Sequence, residues 1–154
     1  MSDWYIDARQ TTFSGEGAHA VGRAVLERID DDIEAVGGMT MGADPIAVAT
    51  AMTAADQGRS LASFSIRKEA KDHGTGGRLV GPISRGTRVA VLEDTTTTGS
   101  ALAEAIDALL AAGVSVQSAI ALVDRSGGAA ADRVSGYNIS YLAIVTPTDL
   151  GMDG

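Results

Sequence analysis

The sequence predicts an α/β fold in which a mostly parallel β-sheet is flanked by helices. Short apolar runs rich in Val, Ile and Ala, typical of strands buried on both faces, recur along the chain. Several of these runs are followed by a turn and then by apolar residues at three- and four-residue spacing, which indicates amphipathic helices. The 154 residues suffice for one domain with a sizeable core, so we expect a single domain spanning residues 1–154.

The predicted elements alternate along the chain. Val21, Val25 and Ile29 mark the apolar face of a first helix, and Asp44 before Pro45 has the pattern of an N-cap followed by a first helical residue. Leu102, Ile106 and their neighbours predict a helix that begins at Ser100 and ends before Gly113, and a short helix lies within 126–137. Strands are predicted at 4–8, 33–38, 61–66, 89–92, 115–123 and 138–145.

Composition excludes several classes of function. The net charge of −8 disfavours a nucleic-acid or membrane-surface partner, because both are anionic. The chain has no cysteine and two histidines, which excludes disulfides and thiolate metal sites and disfavours a transition-metal site. Without a signal-peptide pattern or an apolar stretch approaching 18 residues, the expected location is cytoplasmic.

The stretch RVAVLEDTTTTGSALAEAIDALL, residues 88–110, has the pattern of an anion site. A buried strand ends in Glu93 and Asp94, and a turn of threonines and Gly99 leads into the helix. Free backbone N–H groups and the positive end of the helix dipole favour a phosphate, while two carboxylates accept hydrogen bonds from neutral hydroxyls. Ribose 5-phosphate offers a phosphate for the N–H donors and hydroxyls for the two carboxylates. From the residues alone, an ordinary polar turn fits equally well.

Basic residues concentrate in one segment of this acidic chain. Between Arg67 and Arg85 lie five of the twelve lysines and arginines and one of the two histidines. Gly74, Gly76 and Gly77 favour a mobile loop at 67–82 that closes over a site, and a solvated hairpin is the alternative.

Two segments carry a resemblance to a known family. LEDTTTTGSA resembles the phosphoribosyl-diphosphate (PRPP) signature of the type I phosphoribosyltransferases, and SIRKEAKDHGTGGRLVG resembles the catalytic loop of orotate phosphoribosyltransferases. The resemblance implies a Rossmann-like type I phosphoribosyltransferase fold and transfer of the phosphoribosyl group of PRPP to orotate. Family members usually carry an amino-terminal helix and a lysine before residue 3, so a reduced or missing hood is expected here.

The resemblance assigns roles by matching positions. Lys71 acts on the leaving group, and Glu93 and Asp94 hold the ribose hydroxyls; these three are the predicted catalytic residues. The predicted PRPP-binding residues are Arg67, Lys68, Lys71, His73, Glu93, Asp94, Thr95, Thr96, Thr97, Thr98, Gly99 and Ser100.

The remaining roles concern the diphosphate and orotate. Many members have a diphosphate-binding lysine in the first turn, and here the backbone amides of Thr40, Met41, Gly42 and Ala43 would replace it. Orotate is assigned to Arg125, Thr97, Tyr5 and Ile6; from the residues alone, pairing of Arg125 with Asp124 is as good an interpretation.

The family also implies a cofactor and a partner. Mg²⁺ is carried by the PRPP diphosphate, with no direct protein ligand, and a homodimer is implied in which the 67–78 loop reaches the neighbouring subunit's site. The polar segment 147–154 is expected to be a loosely held tail. Three alternatives stay open: a salvage phosphoribosyltransferase for another nucleobase, a non-catalytic PRPP-binding regulator, and a truncated inactive form.

Overall fold

The computed structural model describes residues 5–71 and 77–152. Helices and strands alternate through this part of the chain. The helices are α1 (Arg9–Thr12), α2 (Gly15–Leu26), α3 (Asp44–Asp56), α4 (Ser100–Ala111) and α5 (Ala129–Ser135), and a 3-10 helix spans Thr148–Leu150. The strands are β1 (Ala35–Met39), β2 (Ala62–Ile66), β3 (Leu79–Val80), β4 (Arg88–Thr96), β5 (Ser115–Asp124) and β6 (Ser140–Val145).

The six strands form one sheet in the order β3-β2-β1-β4-β5-β6. All neighbouring strands pair in parallel except β2 and β3, which are antiparallel. The predicted α/β fold is therefore confirmed. The strand order reverses direction between β1 and β4, and open α/β sheets bind ligands at the carboxyl ends of strands at such a switch point. The loops that follow β1 and β4 are thus the first place to look for a site.

Apolar residues on the two faces of the sheet form two core clusters. On one face Val25 and Ile46, from α2 and α3, pack with Leu92 of β4. On the other face Leu102, Ile106 and Leu109 of α4 pack with strand residues. Burial on both faces explains why the strands appear in the sequence as continuous apolar runs.

The expected strand at residues 4–8 is wrong for the part that the structure describes, since residues 5–8 are not in the sheet and α1 begins at Arg9. The physical cause is Asp7. Its carboxylate accepts hydrogen bonds from the Arg9 N–H (3.2 Å) and the Gln10 side-chain amide (3.3 Å), which starts a helix instead. Trp4 lies outside the described residues.

Other boundaries also differ from the sequence-based expectation. β4 continues through Thr96, because residues 95 and 96 pair with Val123 and Asp124 of β5. Residues 79–80, predicted as loop, form the edge strand β3 beside β2. α3 begins at Asp44 itself, so that Ala43 and not Asp44 is the N-cap.

The end of the described chain has local order. The Asp149 carboxylate accepts hydrogen bonds from the Thr146 N–H (2.7 Å) and hydroxyl (2.9 Å). Whether residues 147–154 are loosely held stays a prediction. Among the described residues, no helix combines the length and apolar character needed to cross a membrane.

Candidate active site

The loops that follow β1 and β4 meet at the switch point. A methyl group placed on the α-carbon of Gly42 would come within 2.5 Å of Asp94 Oδ1 and 2.6 Å of Asp94 Cγ. The loop at residues 40–43 therefore contacts the carboxylate side chain at the end of β4. Only a residue without a side chain permits this approach, so the predicted diphosphate loop and the predicted ribose-binding acid share one surface.

Glu93 is almost completely buried, with 8% of its surface exposed. Burial, followed by hydrogen bonding to and charge repulsion from Asp94, raises the pKa of Glu93 to about 8. Its Oε1 accepts a hydrogen bond from the Asp94 N–H at 3.2 Å. At neutral pH Glu93 is therefore mainly protonated, which differs from the expectation of two ionised carboxylates and weakens the repulsion of a nearby phosphate.

The turn between β4 and α4, here called the threonine turn (residues 96–100), is held by its own side chains. The buried Thr96 accepts the Gly99 N–H at its hydroxyl oxygen (3.0 Å), and Gly99 has a left-handed φ of +79°. The Thr98 hydroxyl donates to the Ser100 hydroxyl (2.8 Å) and accepts the Ser100 N–H (3.2 Å). The turn is therefore preformed.

Several backbone N–H groups of this turn and of the first turn of α4 are available to a ligand. Within the described residues, the amides of Gly99, Ser100 and Ala103 donate hydrogen bonds. In the same part of the chain, the amides of Thr97, Thr98, Ala101 and Leu102 donate none. Together with the positive end of the twelve-residue helix α4, they provide the donors that an anion needs.

In the loop at residues 40–43, two of the four predicted amide donors already have partners. Thr40 N–H donates to the Ile66 carbonyl (2.9 Å), and Ala43 N–H donates to the Met39 carbonyl (3.3 Å). The described residues contain no acceptor for the amides of Met41 and Gly42. Of the four predicted donors, the amides of Met41 and Gly42 are thus left for an anion, and the assignment of this loop to the diphosphate stays a prediction. The peptide bond between Thr40 and Met41 is cis.

Arg125 lies next to the threonine turn. Its backbone N–H donates to the Thr96 carbonyl at 2.9 Å, which joins the residue after β5 to the last residue of β4. The carboxylate of Asp124 accepts the Ser126 N–H at 2.6 Å and so bends the chain around Arg125. The structure thus brings Arg125, the threonine turn and Asp94 to the same edge of the sheet.

Several known proteins that are similar to this chain in sequence and in fold are orotate phosphoribosyltransferases. The chain is 43% identical over 153 residues to the orotate phosphoribosyltransferase of Streptomyces avermitilis, with 99% of this chain and 84% of that protein covered. The chain belongs to the orotate phosphoribosyltransferase family. No family model matches it.

Solved structures of orotate phosphoribosyltransferases have the same fold. The Mycobacterium tuberculosis orotate phosphoribosyltransferase in complex with Fe(III) dicitrate superimposes with a TM-score of 0.87 at 35% identity, covering 97% of this chain and 84% of that one. The same enzyme in complex with PRPP gives a TM-score of 0.84 at 34% identity, covering 96% and 83%. The resemblance stated from the two sequence segments is therefore confirmed.

In this orotate phosphoribosyltransferase chain, the described basic residues lie at the base of the 67–78 loop. Arg67 N–H donates to the Arg78 carbonyl (2.7 Å), and Arg78 Nε donates back to the Arg67 carbonyl (2.8 Å). Arg78 also forms an ion pair with Glu104 of α4 at 2.6 Å. Lys68 and Lys71 are exposed. No hydrogen bond or ion pair between these basic residues and residues 93–100 occurs in the described structure, and His73 lies outside the described residues.

The two amino-terminal residues assigned to orotate differ in their surroundings. Tyr5 is 76% exposed. Ile6 packs against the core cluster under α2 and lines an apolar groove with Ala24, Val123 and Ile144. Neither residue is shown to contact Arg125, so their assignment stays a prediction.

Two side-chain contacts that the sequence analysis did not predict attach the site loops to neighbouring helices. The Thr40 hydroxyl donates to Asp44 Oδ2 at 2.6 Å, which ties the first loop to α3. Arg133 of α5 donates from Nε to the Thr98 carbonyl at 3.0 Å. An aspartate in a helix's first turn is a weak sequence signal for the first contact. Nothing in the sequence indicated the second, because it joins residues 35 positions apart.

Proposed function

We propose that this chain transfers the phosphoribosyl group of PRPP to orotate, forming orotidine 5'-monophosphate and diphosphate in de novo pyrimidine (UMP) biosynthesis. One observation carries the proposal: Arg125, the threonine turn and Asp94 meet at the switch point in a chain that is 43% identical to an orotate phosphoribosyltransferase. This arrangement offers a phosphate site, an acceptor for ribose hydroxyls and a cation for the substrate carboxylate.

In the proposed reaction, orotate N1 loses its proton to solvent and attacks the anomeric carbon of PRPP, and the bond from that carbon to the diphosphate oxygen breaks. Positive charge develops on the ribose ring and negative charge on the leaving diphosphate. Residues 95–100 hold the 5-phosphate, and Glu93 and Asp94 face the ribose. Arg67, Lys68, Lys71 and His73 stabilise the diphosphate, with Lys71 acting on the leaving group. Catalysis then consists of positioning two substrates and stabilising separated charge.

The raised pKa of Glu93 gives the two acids different tasks in this proposal. Protonated Glu93 donates a hydrogen bond to a ribose hydroxyl, and the Asp94 side chain accepts one from the adjacent hydroxyl. The Met41 and Gly42 amides, which have no acceptor among the described residues, supply donors to the diphosphate. Arg125, Thr97, Tyr5 and Ile6 are proposed to hold orotate, since a planar guanidinium matches a carboxylate in a bidentate pair.

Mg²⁺ fits this site through the substrate. Magnesium prefers oxygen ligands and keeps several waters. In the proposal, as the family resemblance implies, the ion would take its ligands from the diphosphate oxygens and water. When bound there, it neutralises charge on the leaving diphosphate.

A homodimer is part of the proposal. Val48 and Met52 lie one helical turn apart on α3 and are 50% and 64% exposed, and Met41, just before the helix, is 57% exposed. Apolar side chains grouped on one helix face support an interface with a second copy. Lys68 and Lys71 are exposed and form no bond with residues 93–100 in the described part of the chain, so they are then available to the neighbouring site.

The proposed location is the cytoplasm. PRPP and orotate are small anions, and a charged group is costly to move across a bilayer. The enzyme is therefore expected in the compartment in which both substrates are formed.

The test is to mix the purified protein with orotate, PRPP and Mg²⁺ and to follow the loss of orotate. Wild-type protein is expected to consume orotate in step with diphosphate release. Adenine, hypoxanthine and uracil, supplied instead of orotate, separate the salvage alternative. Diphosphate release with one of these bases and none with orotate contradicts the proposed substrate; no turnover with any base contradicts the proposed reaction.

Subunit exchange tests the shared site. Lys71→Ala and Asp94→Asn variants are each expected to be nearly inactive, and a refolded mixture should regain activity, because mixed dimers carry one intact site. If light scattering shows a monomer, or the mixture stays inactive although mixed dimers form, the dimeric site is wrong.

A further inference from the structure

Helix α5 packs directly against the threonine turn. A methyl group on Gly99 would lie 2.9 Å from the α-carbon of Ala130 and 3.4 Å from Cδ of Arg133. The absence of a side chain at Gly99 therefore brings the backbone of α5 against the turn. Any shift of α5 is transmitted to the peptide units on either side of Gly99.

One of those peptide units is held on both sides. Arg133 Nε donates to the Thr98 carbonyl at 3.0 Å, and the Thr96 hydroxyl accepts the Gly99 N–H at 3.0 Å. In a trans peptide the carbonyl and the following N–H point in opposite directions. These two contacts thus fix the plane of the Thr98–Gly99 peptide.

α5 is itself held at both ends. Ser126 Oγ accepts the Ala130 N–H at 3.0 Å near the start of the helix. Beyond its last residue, the Tyr137 hydroxyl donates to Asp107 Oδ1 of α4 at 2.8 Å. Arg133 therefore acts on the turn from a helix that is attached both to the segment after Arg125 and to α4.

We infer that Arg133 is a positioning residue for the 5-phosphate site. By binding the Thr98 carbonyl, it keeps this oxygen directed toward α5 and leaves the amide donors of the turn facing the ligand. A carbonyl oxygen turned into the site would repel a phosphate. The inference rests on the proposed function, which assigns the turn to the 5-phosphate. The proposed effect of Arg133 comes from the orientation of the Thr98–Gly99 peptide and not from the charge of the guanidinium.

Two substitutions separate these effects. In Arg133→Gln, the side-chain amide nitrogen stands at the same number of bonds from the α-carbon as Arg Nε, so the donor is kept and the charge is lost. In Arg133→Met, a methyl group occupies that place, so donor and charge are both lost. Arg133 is exposed, so neither variant opens a cavity. Arg23→Met, at an exposed position of α2, is the matched control for the loss of an arginine.

The measurement is the Kd of ribose 5-phosphate by calorimetry, together with KM for PRPP, kcat and inhibition by inorganic diphosphate. Loss of one hydrogen bond is worth about two- to tenfold in affinity, so Arg133→Met should weaken ribose 5-phosphate and raise KM for PRPP by that factor. Arg133→Gln and Arg23→Met should stay near wild type. Inhibition by diphosphate, which uses the other loop, and kcat should change little.

Three results overturn the inference. The first is wild-type affinity of Arg133→Met for ribose 5-phosphate, and the second is no binding of ribose 5-phosphate by the wild-type protein. The third is an equal loss of affinity in Arg133→Gln and Arg133→Met, which would assign the effect to charge. The calorimetric arm needs no turnover. If the wild-type protein binds ribose 5-phosphate in an Arg133-dependent way and does not consume orotate, the proposed function fails and the inference stands.

Discussion

The α-carbon of Gly42 lies so close to the Asp94 carboxylate that a single methyl group there would come within 2.5 Å of Oδ1. Gly42 belongs to the loop after β1, and Asp94 lies near the end of β4. The proposed diphosphate loop and the proposed ribose-binding acid are therefore packed so closely that a change in one displaces the other.

Gly42→Ala is expected to fold and to lose activity. The added methyl group would turn the Asp94 carboxylate away and break its bond to the Thr95 N–H, 2.8 Å in the wild-type protein. A misplacement of this size costs about ten- to a hundredfold in kcat/KM for PRPP. Gly15→Ala is the control, because a methyl group there meets nothing within 4 Å. Wild-type kinetics for Gly42→Ala would contradict the shared surface.

Glu93→Gln is expected to change how stability depends on pH. Because the pKa of Glu93 is raised to about 8 from an ordinary value of 4.5, the folded protein keeps a proton that the unfolded chain has lost between these values. Stability conferred by the protonated form is complete below pH 4.5 and is lost as the pH rises through 8.

The measurement is urea denaturation of both proteins without ligand at pH 5, 7 and 9. The stability of Glu93→Gln relative to wild type should rise with pH, by on the order of a few kcal/mol over this range. Glu16→Gln, in an exposed position of α2, controls for the removal of one carboxylate. A difference that is constant from pH 5 to 9 would show that Glu93 is ionised throughout.

Thr96→Val is expected to lower the free energy of unfolding. Valine keeps the shape of threonine and removes the oxygen that accepts the buried Gly99 N–H. A buried donor left without its partner costs about 1–3 kcal/mol. Chemical denaturation compares the free energy of unfolding of Thr96→Val with that of Thr97→Val, in which the substituted threonine is exposed. Equal stabilities for these two variants would mean that the Thr96 hydroxyl does not hold the turn.

Lys71→Ala is expected to lower kcat by about a hundredfold or more, as removal of a single electrostatic donor to a developing charge commonly does. Lys71 is exposed, so the folded state should be unaffected. Arg23→Ala removes one positive charge at an exposed position of α2, outside the proposed site, and should retain wild-type turnover. Unchanged kcat in Lys71→Ala would refute its role on the leaving group.

Local patterns predicted most elements of the fold. The spacing of Leu102, Ile106 and Leu109 predicts α4 because those residues face the core, and the helix is where the pattern placed it. The strand expected at residues 4–8 failed because the Asp7 side chain competes for the backbone there. Thr95 and Thr96 belong to β4 because of pairing with β5, which is a contact distant in sequence.

The sequence named the candidate acids and the threonine turn, but it did not predict the raised pKa of Glu93. Glu93 and Asp94 are evident as adjacent acids, but the protonation of Glu93 depends on burial, which only the packed structure reveals. The hydrogen bond from Arg133 to the Thr98 carbonyl depends on where α5 packs against the threonine turn. Such contacts arise from tertiary packing, on which periodicity and spacing carry no information.

Thr96 uses two different atoms to join two different parts of the site: its carbonyl accepts the Arg125 N–H, and its hydroxyl accepts the Gly99 N–H. In the proposed site, the segment that would hold the nucleobase and the turn that would hold the 5-phosphate are therefore joined through one residue. An engineer who rebuilds the segment after β5 to admit a different base would also disturb the threonine turn. Libraries for such a redesign should keep Thr96 constant and vary residues whose backbone is not bonded to it.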